Sequence, residues 1–342
     1  MTYNAVVVGA GGRAVDHIVA YSHLPEGAAT AVCSRSLTRA AAVAKRFGIR
    51  AYDDARSMIL TEKPDIVHIT TPPTDRVEIM SLVASLGIPL CTIEKPIAVG
   101  VSDWRALVDL EASSATRFAV CHQFRWQPKF ARCVESVVSG KCGALKMLDL
   151  SAGRNLGCQG THILNYGRAL NDDQRISRVF GSVSGWTGKD SMHPAPDASE
   201  AHLTFENGVR GIWVTGPSAP QTGDPTTDWQ HVRVAAFCEQ GLAGYEEFGR
   251  WEIVSCRGVE TGDYGGMQQW RTDNDAAQAA FHRAMFDWAN NALSAPGTNL
   301  ADSLHEWQVV LALYQSAVLR QPVDLADFEP AEDLIDRLKE AL

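Results

Sequence analysis

The stretch Ala5-Val6-Val7-Val8-Gly9-Ala10-Gly11-Gly12-Arg13-Ala14 decides how this chain is read. A short, β-rich apolar run enters a glycine cluster, and a helical stretch from about Arg13 to Ser22 leaves it. The cluster fits G-x-G-x-x-G/A with Ala14 in the last place. Glycines there permit a tight turn and let the backbone approach a pyrophosphate, whose charge sits at the helix N-terminus. Gly9, Ala10, Gly11, Gly12 and Arg13 are therefore candidate contacts for a dinucleotide.

Working outward, strand and helix keep alternating. Thr30–Cys33, Asp65–Ile69 and Leu90–Ile93 read as strands, with helices over Leu37–Phe47 and Arg76–Leu86 that stop at Gly48 and Gly87. Strands apolar on both faces and separated by helices predict a parallel sheet covered on both sides. Beyond about Arg117 the texture changes. After Phe118–Cys121 and a helix over Pro128–Val138, strands dominate: Ala144–Ser151, Ser177–Trp186, Ala198–Phe205, Val209–Val214, Val232–Phe237 and Trp251–Val254. Asn207-Gly208 marks a hairpin. Helices return over Ala276–Asn290, Ser303–Val318 and Glu332–Leu342, and 187–197 and 216–228 read as loops. The expectation is an α/β Rossmann dinucleotide-binding domain over 1–120. A second α+β domain with a large, open, mostly antiparallel sheet follows over 121–342, for substrate binding and oligomerisation.

Composition narrows the partners. With 342 residues, 45% hydrophobic and 21% charged, the chain can build two cores. Lys and Arg number 31 against 40 Asp and Glu, so a formal charge of −9 argues against nucleic acid and anionic membranes. Nothing approaches a membrane-spanning apolar run, and Met1-Thr2-Tyr3-Asn4 does not read as a signal peptide. Eight cysteines without a C-x-x-C pair suggest no zinc knuckle or disulfide framework, so a cytoplasmic location with reduced thiols is expected.

The second strand ends Cys33-Ser34-Arg35-Ser36-Leu37-Thr38-Arg39, without the acid that usually holds the ribose 2′-hydroxyl of NAD. Ser34 leaves space, and Arg35 and Arg39 offer a fork for a 2′-phosphate, so NADP is favoured over NAD. At the end of the Leu90–Ile93 strand stands Glu94-Lys95-Pro96. Ligands of open α/β sheets bind beyond such carboxyl ends. An amine beside a cationic nicotinamide gives up its proton more readily than in water and can then take one from a hydroxyl. The proline makes a cis peptide an expectation. In Gly160-Thr161-His162-Ile163-Leu164-Asn165-Tyr166, a helix start, His162 and Asn165 would share a face.

Together with His122-Gln123-Phe124-Arg125-Trp126-Gln127-Pro128, these elements resemble the glucose–fructose oxidoreductase/inositol dehydrogenase/rhizopine-catabolism family, Gfo/Idh/MocA, over nearly the whole chain. The resemblance implies that Lys95 is the acid/base group and that His162 points at the reacting hydroxyl. It makes Thr71 and Pro72 part of the cofactor-contacting turn and puts Glu94 at the cofactor too. The family's last signature acid, which commonly holds a substrate hydroxyl, falls on Asn165, and Gln123 and the aromatic Trp126 are further candidate substrate contacts. The family's first signature acid falls on Cys158, which leaves a small lining residue where a carboxylate would orient the lysine.

The implied activity is hydride transfer between NAD(P) and a secondary alcohol or ketone of a sugar, glycoside or cyclic polyol. Two alternatives are a redox-neutral enzyme that cleaves or eliminates glycosides by transient oxidation, and a non-catalytic cofactor-binding regulator. A homodimer or homotetramer is expected from the open sheet and its tryptophans.

Overall fold

In the computed structural model, which describes residues 2–188, 190, 192–220 and 227–342, the opening run becomes strand β1 (Tyr3–Val8). Helix α1 (Gly12–Ala20) leaves the glycine turn. β2 (Gly27–Cys33), α2 (Leu37–Phe47), β3 (Arg50–Tyr52), α3 (Ala55–Glu62), β4 (Ile66–Ile69), α4 (Arg76–Ser85), β5 (Leu90–Glu94), α5 (Val101–Ser113) and β6 (Arg117–Cys121) follow. The six strands form one parallel sheet in the order β3-β2-β1-β4-β5-β6. This is the doubly wound order that puts the ends of β1 and β4 at a topological switch point. Every residue of β4 and β5 is buried, as continuous apolar strands require.

The rest of the chain supplies α6 (Pro128–Val138), β7 (Leu145–Ala152), α7 (Thr161–Leu170), β8 (Ile176–Ser184), β9 (Ala198–Phe205), β10 (Arg210–Thr215), β11 (Val232–Cys238), β12 (Gly241–Glu246), β13 (Arg250–Ser255) and β14 (Gly258–Asp263). After them come α8 (Gly266–Ala289), α9 (Leu300–Leu319), β15 (Val323–Asp324) and α10 (Leu334–Ala341). The second sheet runs β14-β13-β12-β11-β7-β10-β9-β8-β15 and is antiparallel except where β10 lies parallel to β7. The Asn207-Gly208 hairpin joins β9 to β10, with Gly208 at φ +84°. α7 lies on β7 and β11, and Gly167 permits it: a Cβ there would stand 2.8 Å from the Leu150 side chain.

The chain divides into two compact units, and the division is interleaved rather than a single cut near residue 120. The first comprises Met1–Ala98, Arg105–Trp126 and Asp273–Ser303; the second comprises Val99–Trp104, Gln127–Thr272 and Leu304–Leu342. The return of 273–303 has a plain cause. Ala279, Phe281, Met285 and Phe286 of α8 share one apolar cluster with Ala5, Tyr21, Ile66, Leu90 and Ala119, completing the first unit's core. Of the loops read over 187–197 and 216–228, residues 189, 191 and 221–226 lie outside the described residues. Among the described residues, no helix is long and apolar enough to cross a membrane.

Candidate active site

In the first unit the glycine turn has the shape its sequence predicts. Gly9 adopts φ +117°, and a Cβ on it would stand 2.3 Å from Thr70 Oγ1, so the turn closes against the end of β4 only with glycine. Gly11 and Gly12 differ: a Cβ on either meets nothing within 4 Å. Gly11 is the N-cap of α1, no side chain caps it, and the first turn holds no acid. The unpaired N–H groups and positive end of α1 therefore face open space, which fits a pyrophosphate.

Beyond β2, Ser34 Oγ accepts from Ser36 N at 3.3 Å, and Ser36 caps α2 through Arg39 N. The Arg35 side chain is 88% exposed, with Nη2 3.5 Å from Asp75 Oδ2. Arg39 is also exposed. No acid follows β2 directly.

At the end of β5, Lys95–Pro96 is a cis peptide and Lys95 is half-buried. The sequence reading assigned no role to Arg76, yet the structure places it under this segment. Buried, it donates from Nη1 to Pro96 O and from Nη2 to Thr71 O (3.2 Å) and Lys95 O (3.4 Å). Burial lowers its pKa to about 10, which leaves it charged at neutral pH. One side chain thus ties the turn after β4 to the backbone of Lys95. Its position on the first turn of α4, just after the Thr71-Pro72 segment, was the available signal.

Arg13 and Glu94, both candidate cofactor contacts, also pair with each other. Arg13 Nε donates to Glu94 Oε1 (2.9 Å), Nη1 to Asp16 Oδ2 (2.7 Å) and Nη2 to Gln278 Oε1 (2.8 Å). His17 Nε2 lies 3.1 Å from the same Glu94 oxygen. Burial would raise the Glu94 pKa, but Arg13 and His17 together hold it well below the usual carboxylate range. Both side chains thus share one ion pair, with Glu94 buried and Arg13 partly exposed.

Behind that pair, His17 Nδ1 is 2.9 Å from His282 Nε2, while His68 bridges Thr92 Oγ1 (2.6 Å) and Tyr21 Oη (2.7 Å). Burial lowers the pKa of all three histidines. Arg13 and His17, like Gln278 and His282, are four apart on a helix, the spacing that could have revealed this network. Gln123 Nε2 faces Asn274 Oδ1 at 3.4 Å. The ring of Trp126, partly buried, lies 5.1 Å from that of Phe281 and packs on the apolar core.

In the second unit, Leu156–Gly160 forms a wide turn capped by Asn155, whose side chain accepts from Cys158 N. Cys158 and His162 are both nearly buried, and the His162 ring stacks on Tyr166 at 6.0 Å. Asn165 lies on the helix that follows, α7. It is wholly buried, and its Nδ2 donates to Glu306 Oε1 (2.8 Å), which also accepts from Arg168 Nη1 (2.9 Å). Its amide thus meets the buried ion pair of Arg168 and Glu306.

Comparison with known proteins agrees with this geometry. Residues 3–122 match the model of the oxidoreductase family with an NAD-binding Rossmann fold, Gfo/Idh/MocA. A D-apiose dehydrogenase of Paraburkholderia graminis is 25% identical over 61% of this chain and 59% of its own length. Another, from Rhizobium rhizogenes, is 22% identical over 93% and 96%. An oxidoreductase from Agrobacterium radiobacter, solved in complex with NAD+, L-tartaric acid and magnesium, is 20% identical and superposes with a TM-score of 0.81. That superposition covers 95% of this chain and 99% of that one. With its glycine turn and strand order, the segment 3–122 thus matches the NAD-binding Rossmann fold of the Gfo/Idh/MocA oxidoreductase family.

Proposed function

We propose that this oxidoreductase moves a hydride between NAD(P) and a secondary alcohol or ketone of a sugar or cyclic polyol. The carrying observation is the Glu94-Lys95-Pro96 segment at the carboxyl end of β5. It lies in the same parallel sheet as the glycine turn and is fastened by Arg76 to the turn after β4. The coenzyme, held by the glycine turn and the N-terminus of α1, supplies the hydride acceptor or donor. Lys95 takes the hydroxyl proton in oxidation and returns it in reduction. His162 is assigned to the reacting hydroxyl on the family resemblance alone. Arg76 keeps the Lys95 backbone in place without itself exchanging protons. The likeness to two D-apiose dehydrogenases supports a carbohydrate substrate.

Arg35 and Arg39, with no acid following β2, favour NADP over NAD. The second sheet carries Phe180 and Phe237 exposed on its strands, which supports a homodimer or homotetramer. A screen of D-apiose, myo-inositol and glucose with NAD and NADP side by side tests the reading. Reduced coenzyme formed in step with ketone or lactone is the expected result; no coenzyme reduction with any polyol or sugar refutes it. Light scattering tests the assembly, and a monomer would count against it.

A further inference from the structure

The strand order puts β1 between β2 and β4, with Cys33, Val8 and Ile69 side by side at their carboxyl ends. Neighbouring strands stand ~4.8 Å apart, so the segments leaving β2 and β4 flank the glycine turn at a separation of about 10 Å. Gly9 N donates to Cys33 O and Thr70 N to Val8 O, each at 2.8 Å, which carries the alignment past the strand ends. An ion pair joins the two flanks. Arg35, just beyond β2, reaches Asp75, beyond β4, with Nη2 3.5 Å from Oδ2. The acid that the sequence lacks after β2 therefore stands beside this corner from another segment of the same unit.

The end of β2 is where a Rossmann domain reads the adenosine ribose: an acid there holds a 2′-hydroxyl, an arginine a 2′-phosphate. Both side chains of the pair are open to solvent, Arg35 at 88% and Asp75 at 27%. A pair so exposed is weak, and a phosphate taking two parallel N–H bonds from one guanidinium can displace the carboxylate. The carboxylate still opposes that phosphate in two ways. It neutralises part of the Arg35 charge, and it repels a group of its own sign. Neither effect touches an uncharged 2′-hydroxyl. We propose that Asp75 is a specificity-determining residue for the coenzyme, restraining NADP through its hold on Arg35 while leaving NAD unhindered. The proposal deepens the coenzyme reading above and rests on it: Arg35 attracts the 2′-phosphate, and Asp75 limits that attraction. Asp75 also precedes Arg76 and favours its charged form. An action through Arg76 would reach the Lys95 backbone and alter both coenzymes alike, which separates the two routes.

Equilibrium binding tests the residue without any turnover. Asp75→Asn keeps the shape of the side chain, and Asp75 makes no capping hydrogen bond to α4 that the change would remove. In calorimetric titrations of the full chain, the variant should bind NADP+ roughly three-fold or more tighter than the native protein, with NAD+ affinity held within about two-fold. The gain should shrink at high salt, because exposed charges are screened. It should also fall by at least half when Arg35→Gln is added, since the carboxylate then has no guanidinium to hold. An affinity ratio that Asp75→Asn leaves unchanged, or a gain that survives in full beside Arg35→Gln, overturns the proposal. Equal changes for the two coenzymes overturn it as well and move the action of Asp75 to Arg76. Native protein that binds neither coenzyme refutes the coenzyme reading and this proposal with it. Native protein that binds one of them, with a ratio the variant does not alter, refutes the role of Asp75 alone.

Discussion

At the scale of single residues, two positions separate the chemistry from its support. Lys95 carries the proposed proton transfer, so Lys95→Met should lower turnover by about 10²–10⁴-fold while coenzyme affinity, read by nucleotide titration, stays as it is. Undiminished turnover would remove the lysine from the mechanism. Asn165 shows the opposite case. Placing the acid that the family resemblance implies there, by Asn165→Asp, would set a carboxylate against Glu306, whose Oε1 already pairs with Arg168. The expected cost is about 3 kcal/mol in denaturant unfolding at neutral pH, easing as the solution is acidified. The motif alone marked this residue as a substrate contact; it could not show that the amide is wholly buried against α9.

At the scale of elements, the glycine turn offers a contrast between fold and ligand. Gly9→Ala forces a side chain into φ +117° and against Thr70, so the protein without coenzyme should already lose about 1–3 kcal/mol. Gly12→Ala meets nothing and lies in the first turn of a helix, so thermal stability should hold or rise by up to about 1 kcal/mol. Its methyl group occupies the space proposed for the pyrophosphate, and coenzyme affinity should fall. Equal losses of stability in both variants would contradict the assignment. Helices α2 and α6 were legible to the residue from sequence. β12 was not. Its Gly241 and Gly244 erase the strand signal, yet a Cβ on Gly241 would stand 1.9 Å from Val254 O, so β13 can pair there only because the side chain is missing. The parallel pairing of β7 with β10 was equally hidden, because no turn between them announces it.

At the scale of the whole molecule, two buried carboxyls give stability opposite slopes with pH. Arg13 and His17 hold Glu94 below its unfolded pKa, so its contribution is complete above about 4.3 and is lost only as pH falls toward the folded value. Glu247 is buried with Oε2 unpartnered, and burial raises it to about 8 despite a hydrogen bond from Trp270. Its sign is reversed. The folded state binds the extra proton, so stability is greatest below about 4.3 and declines as pH rises toward 8, by at most ~1.4 kcal/mol per pH unit. Glu247→Gln should therefore flatten the melting temperature between pH 5 and 8 and make the protein more stable than the native chain at pH 8. An unchanged slope in thermal scans across that range would show that Glu247 is ionised in the fold.

What the sequence by itself determined was the glycine turn, the alternation of strand and helix behind it, the site of Lys95 and the mostly antiparallel character of the second sheet. These follow from local backbone freedom and from the period of apolar residues, which neighbours in the chain express without help. Only the tertiary structure decided that α8 completes the first unit's core, that Arg13 and Glu94 serve each other and that Arg76 braces the lysine segment. Each of these joins residues far apart in the chain. Burial and the need to pair buried polar groups select such partners, and that selection acts on distances the linear order does not contain.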